Sequence, residues 1–159
     1  MASVYLESTI PSYYMARMSR DIIIAAHQQL TQDWWESDRE LYDLFVSEFV
    51  VTEISRGDPK AAEERLTAVE GIPVLRYDSK VQGIFDHLKE HLPIPQKAQA
   101  DLWHIAYSVS YEIDYLLTWN CVHIDNAYTI QSLQRINTEM GWFTPLILTP
   151  QVLRRYNQE

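Results

Sequence analysis

The stretch VYLESTIPSYY, residues 4–14, sets an apolar run directly against an acid. Val4, Tyr5 and Leu6 are apolar and partly β-favouring, so Ser3–Leu6 reads as a short strand. Glu7, Ser8 and Thr9 end it, and Pro11 marks a break in the chain. An acid directly after a strand gains meaning if the rest of the chain alternates strands with helices. In open α/β sheets, ligands sit beyond the C-terminal ends of the strands.

The remaining chain does alternate. Residues 21–37 read as a helix, with Ile22, Ala25, Ala26, Gln29, Leu30 and Trp34 as most of an apolar stripe. Residues 41–46 make a second strand despite Asp43. Ser47 caps a short helix that ends at Gly57, and Pro59 opens another helix that runs to Val69. Residues 72–75 form a strand, and 79–91 a helix that stops before Pro93 and Pro95. Residues 97–111 form a helix in which Ala98, Leu102, Ile105, Ala106 and Val109 recur at helical spacing. A strand over 115–118, a helix over 125–140, a strand over 146–148 and a terminal helical turn from Thr149-Pro150 complete the order. This order implies one α/β domain over residues 1–159, its mainly parallel sheet covered by helices on both faces. Glu7 and Asn120, each just after a strand, are the residues that location alone favours.

Composition narrows the functional classes. With 159 residues, 47% hydrophobic and 22% charged, the chain has the size and balance of one ordinary domain. Its apolar runs, such as residues 22–26, are far too short to cross a bilayer, and it opens without a basic-then-apolar leader. The lone Cys121 cannot form an internal disulfide, which suits a reducing cytoplasm. The 13 basic and 22 acidic residues leave a formal charge of −9, which argues against nonspecific nucleic-acid binding. It leaves room for a nuclease whose acids are offset by a cation, and for a basic partner.

Four segments stand out together: VYLESTIPSYY, SEFVVTEISRGD, QADLWHIAYS and YLLTWNCVHIDNA. In order, spacing and setting they resemble the PIN domain superfamily, and within it a VapC-like toxin subgroup whose first motif is Glu-x-Thr. The resemblance runs from Val4 to about Pro150. It implies a three-layer α/β/α fold with a central five-stranded sheet in the order 3-2-1-4-5. Glu7 and Asn120 would then flank the switch point between the first and fourth strands. It also implies that Glu7, Glu53 and Asp101 ligate Mg²⁺ or Mn²⁺. Asn120 takes a catalytic position that is often Asp in the superfamily, Thr9 orients the first carboxylate, and His123 and Asn126 support the site. A neutral Asn120 leaves one firmly held ion and puts a second in question.

The residue types suit that chemistry. Mg²⁺ and Mn²⁺ are hard ions that take oxygen ligands. Carboxylates can hold such an ion and leave positions open for a phosphate and an attacking water. Taken singly, Glu53 and Asp101 read as solvated or helix-dipole residues; structural roles do not account for all four positions at once. The expected activity is RNA cleavage by the toxin half of a type II toxin–antitoxin pair, as a homodimer with a basic antitoxin partner. The alternative is a catalytically impaired module that binds RNA or a protein partner. A small-molecule phosphohydrolase lacks a nucleotide-binding loop in this sequence.

Other features are read more plainly. His87 and His91 fit an H-x-x-E-H string, but no third zinc ligand suggests itself, so a solvated helix end is the simpler reading. Cys121 and His123 make no closed site. His104, one turn after Asp101, reads as a partner that fixes that acid. Arg17 and Arg20 either guide a phosphate backbone or are solvated. Trp34, Trp35, Trp103 and Trp142 read as core or interface aromatics.

Overall fold

The computed structural model describes residues 1–154; the last five positions of the domain expected over 1–159 lie outside the described residues. Five strands form one sheet: β1 (Ser3–Leu6), β2 (Asp43–Ser47), β3 (Val74–Leu75), β4 (Tyr115–Leu117) and β5 (Leu146–Leu148), in the order β3-β2-β1-β4-β5. Every pairing is parallel, so the mainly parallel sheet and its expected order both hold. The central strand shows why. Val4, Tyr5 and Leu6 are each fully buried rather than alternating, as a strand covered on both faces requires. On β1, Val4 registers with Leu44 on one side and Tyr115 on the other. The chain therefore reverses its winding direction across β1, and the switch point lies beside Glu7.

The helices are α1 (Thr9–Met15), α2 (Ile22–Ser37), α3 (Glu48–Ile54), α4 (Pro59–Ala68), α5 (Ser79–His91), α6 (Leu102–Ser110), α7 (Ala127–Met140) and α8 (Pro150–Leu153). Side-chain caps fix several starts: Asp21, Ser47, Asp58, Asp78 and Asn126 each accept backbone N–H groups of the turn that follows.

Four expectations need correction. Pro11 does not break the chain but sits in the first turn of α1, where its missing N–H leaves no bond unmade. The second strand starts at Asp43 rather than at residue 41, because a 3₁₀ turn over Arg39–Leu41 precedes it. The buried face of α2 is Gln28, Thr31, Trp34 and Trp35; Ile22 is 85% exposed, and Ala26 and Gln29 face solvent. Polar residues occupy that face because they are satisfied there. The Gln28 amide bonds Ser19 N–H and Arg17 O, while Thr31 accepts the Trp119 indole N–H. Finally, the helix expected over 97–111 is a 3₁₀ segment, Gln96–Asp101, followed by α6.

Candidate metal centre

Glu7 is placed by β1. Its N–H donates to Leu117 O at 3.1 Å, which extends the β1–β4 ladder by one rung and sends the side chain out at the C-terminal edge of the sheet. Its Oε2 accepts three hydrogen bonds: from Thr9 N–H at 3.0 Å, from the Thr9 hydroxyl at 2.5 Å and from the Thr118 hydroxyl at 2.9 Å. Thr9 Oγ1 also accepts Trp119 N–H at 2.9 Å, tying the chain after β1 to the chain after β4. Glu7 is 4% exposed, and its Oε1 points toward His104 Nε2 at 3.8 Å. One oxygen is thus saturated by the protein while the other is left for a different partner.

Glu53 comes from the last turn of α3. Its Oε1 accepts from the Ser8 hydroxyl at 2.6 Å and from His104 Nε2 at 2.7 Å. Burial pushes the Glu53 carboxyl up, but the hydrogen bond and field of His104, with Ser8 and Arg56, outweigh burial and hold it below its ordinary 4.5. The end of α3 is itself fastened. The Arg65 guanidinium donates from Nε to Ile54 O at 3.0 Å and from Nη2 to Arg56 O at 2.6 Å, satisfying carbonyls that the helix leaves open.

His104 stands in the first turn of α6, fully buried. A carboxylate can only accept, so the Nε2 that faces Glu53 carries a proton. Nδ1 lies 2.8 Å from the Tyr5 hydroxyl, and that hydroxyl lies 2.7 Å from Ser47 Oγ. Ser47 Oγ already accepts Val50 N–H at 3.1 Å as the cap of α3. Every group is satisfied when Ser47 donates to Tyr5, Tyr5 donates to Nδ1 and Nε2–H donates to Glu53. Burial holds the Tyr5 phenol well above its usual 10, which keeps it a donor. The chain of bonds locks one ring orientation of His104 and aims it at both acids.

The ligand atoms of Glu7, Glu53 and His104 all lie within 4.8 Å of one another, and no other residue joins that group among the described residues. The structure therefore brings Glu7 and Glu53 together and leaves Asp101 out. Asp101 ends the 3₁₀ segment, half-buried, without a side-chain capping bond. Asn120, on the loop after β4, uses its Oδ1 to hold His123 N–H at 3.0 Å. His123 O accepts the Thr129 hydroxyl at 3.0 Å, and Asn126 caps α7 through Tyr128 N–H at 3.0 Å. These three residues hold the loop after β4, and Asn120 N–H also donates at 2.9 Å to Thr118 Oγ1, the hydroxyl that bonds Glu7. His104 is the residue that sequence reasoning undervalued. A single histidine on an apolar helix carries no local signal, and its partners Tyr5 and Glu53 are 99 and 51 positions away. The paired His87 and His91 stack at 4.2 Å at the end of α5 and belong to no such ligand group.

Two carboxylates within reach of one point suit a hard divalent cation. An imidazole whose Nε2 proton is engaged by Glu53 fits better as the group that orients that acid than as a ligand.

No protein-family model matches the chain, and no curated protein matches it. Solved structures do. The VapBC2 complex of Rickettsia felis, bound to a DNA fragment from its promoter, aligns with a TM-score of 0.59 at 13% identity, covering 92% of this chain and 98% of that one. The Mycobacterium tuberculosis toxin VapC20, which cleaves the sarcin-ricin loop, aligns at 0.58 and 10% identity over 75% of this chain and 91% of its own. VapBC-1 of nontypeable Haemophilus influenzae aligns at 0.55 and 15% identity, with 94% and 98% covered. The sheet order, the acid at the end of its central strand and these alignments agree: the chain has the VapC-like PIN fold.

Proposed function

We propose that the protein is a metal-dependent endoribonuclease of toxin–antitoxin type that uses Mg²⁺ or Mn²⁺. The observation that carries this reading is the convergence of Glu7 and Glu53, from the ends of two different elements, at the C-terminal edge of a VapC-like sheet. Glu7 would hold the ion through Oε1, since Oε2 is committed to Thr9 and Thr118. Glu53 would hold it from the α3 side, oriented by His104 and Ser8. Asp101 completes the set from the junction of the 3₁₀ segment and α6, three residues before His104. Asn120, His123 and Asn126 act at a distance by shaping the loop beside Thr118. The bound ion supplies Lewis acidity to the scissile phosphate and lowers the pKa of an attacking water. What the chain itself supplies is position: a saturated Glu7 Oε2, a locked imidazole and a capped α3 leave the acids little freedom to reorganise.

RNA as substrate is supported by the sarcin-ricin-loop-cleaving toxin among the structural neighbours. Two of those neighbours are VapBC complexes, which supports an antitoxin partner here as well. The −9 charge suits a basic one. A homodimer is part of the same reading, and light scattering of the purified chain at twice its own mass checks it. The activity is tested by incubating the protein with RNA and with single-stranded DNA in Mn²⁺, Mg²⁺ or EDTA, beside Asp101→Asn. RNA cleavage that needs the metal and falls in the variant is the expected result. Cleavage that survives in EDTA or in Asp101→Asn contradicts the site, and RNA binding without cleavage by the wild type favours a binding module.

A further inference from the structure

A cavity of about 460 Å³ opens between α3 and α6, lined by Glu48, Phe49, Thr52, Tyr77, Trp103 and Tyr107 among others. Its wall adjoins the proposed site through Phe49. Thr52 and Trp103 directly precede Glu53 and His104, and the Phe49 ring lies 5.1 Å from His104 and 6.4 Å from Trp103. Phe85 lies flat against the Trp103 indole at 3.7 Å and is outside the lining, so the rest of that indole meets the cavity. The exposed Tyr77 ring stands edge-on to Trp103 at 6.1 Å.

Two polar groups in this aromatic wall are open. Glu48 Oε2 accepts Tyr77 N–H at 2.9 Å, which fixes the carboxylate, while its Oε1 has no hydrogen bond among the described residues. Tyr107 packs its ring into the core, and its hydroxyl, which lines the cavity, has no hydrogen-bond partner among the described residues. Burial, with the nearby charge of Glu48, pushes that phenol up to about 12, so it remains a donor across the physiological range. The hydroxyl reaches the open face of the cavity, where it can donate to a bound group.

We propose that this cavity is a subsite for one unpaired guanine of the RNA substrate, next to the scissile phosphate. The inference rests on the ribonuclease reading and adds a base preference to it. Flat aromatic walls stack any base. The polar groups choose among bases. A carboxylate only accepts, and guanine alone presents two adjacent donors on its pairing edge, N1–H and the exocyclic amino group, beside the O6 acceptor. Glu48 meets the two donors and the Tyr107 hydroxyl meets O6. Uracil offers one donor, N3–H, flanked by two carbonyl oxygens that the carboxylate repels, while adenine and cytosine offer one donor beside a bare ring nitrogen. A cationic side chain from a protein partner shares some of this chemistry, but it would leave the Tyr107 hydroxyl without an acceptor.

The test uses the purified chain in EDTA, where binding is read without cleavage. Fluorescence anisotropy compares the hexaribonucleotides UUGUUU and UUUUUU on the wild type, Glu48→Gln and Tyr107→Phe. The guanine hexamer is expected to bind about tenfold tighter, the size of one good bidentate base contact, with the preference falling below roughly threefold in Glu48→Gln. Glu48 is exposed and glutamine keeps an acceptor for Tyr77 N–H, so that variant folds. Equal affinities in the wild type, or a preference unchanged in Glu48→Gln, overturns the subsite. Binding of N-acetyl-arginine amide that depends on Glu48, without any preference between hexamers, overturns it in favour of a basic protein side chain. The two readings fail separately: lost guanine preference with intact metal-dependent cleavage removes only the subsite, and guanine-selective binding without cleavage removes only the nuclease.

Discussion

Glu7 carries two oxygens with different duties, and half of that division is legible in the sequence. An acid after an apolar strand, with a hydroxyl two residues on, was readable from residues 4–14. The contribution of Thr118, 111 positions away, was not, because it depends on β4 lying beside β1. For His104 a one-turn spacing points to Asp101, whereas packing of α6 against α3 gives it Glu53. Two measurements belong at this scale. Because the Glu53 carboxyl is held below its ordinary 4.5, the folded state keeps it ionised after the unfolded chain has begun to protonate. Its stabilisation is therefore complete above about pH 4.5 and is lost as pH falls through the folded value. Urea midpoints should drop less between pH 7 and pH 3.5 in Glu53→Gln than in the wild type. Tyr5→Phe removes the hydroxyl between Ser47 and His104 Nδ1, and leaving that nitrogen buried without a donor costs about 1–3 kcal/mol. Equilibrium unfolding gives the value directly.

Among the elements, caps were the most legible features and faces the least. Ser47 and Pro59 announced their helices, since a cap or a first-turn proline acts through local backbone chemistry. Apolarity alone does not locate the α2 face, because Gln28 and Thr31 are buried through bonds to distant backbone and to Trp119. The 3₁₀ start before α6 was missed for a similar reason: its alanines and glutamines suit either helix, and the register settles only where Leu102 enters the core. That difference matters, because it sets where Asp101 stands relative to His104. The Arg65 fastening of α3 was invisible, as nothing in the sequence ties residue 65 to the carbonyls of residues 54 and 56. Arg65→Met keeps much of the apolar stem and removes both bonds, for an expected loss of about 1 kcal/mol in unfolding free energy. Because Glu53 occupies that last turn, the same variant should also weaken Mn²⁺ binding. An unchanged affinity would mean that His104 and Ser8 alone hold the carboxylate.

At the scale of the molecule, alternation of strands and helices gave the layered parallel sheet, and the family resemblance gave its order. Neither depends on detail, since parallel strands need crossovers and crossovers keep one hand. What alternation cannot give is which acids meet, because that depends on the rotation of α3 and α6 against the sheet. The fold brings Glu7 and Glu53 to one point, opens an aromatic cavity between α3 and α6, and leaves Asp101 outside the group that Glu7 and Glu53 form with His104. No helix of the described residues is long and apolar enough to cross a membrane. The central claim is that Glu7 and Glu53 together hold one divalent ion, and Mn²⁺ titration followed by electron paramagnetic resonance tests it without recourse to activity. The expected result is one bound Mn²⁺ per chain in the wild type, with affinity falling at least roughly a hundredfold in both Glu7→Gln and Glu53→Gln. Wild-type affinity in either folded variant would contradict it.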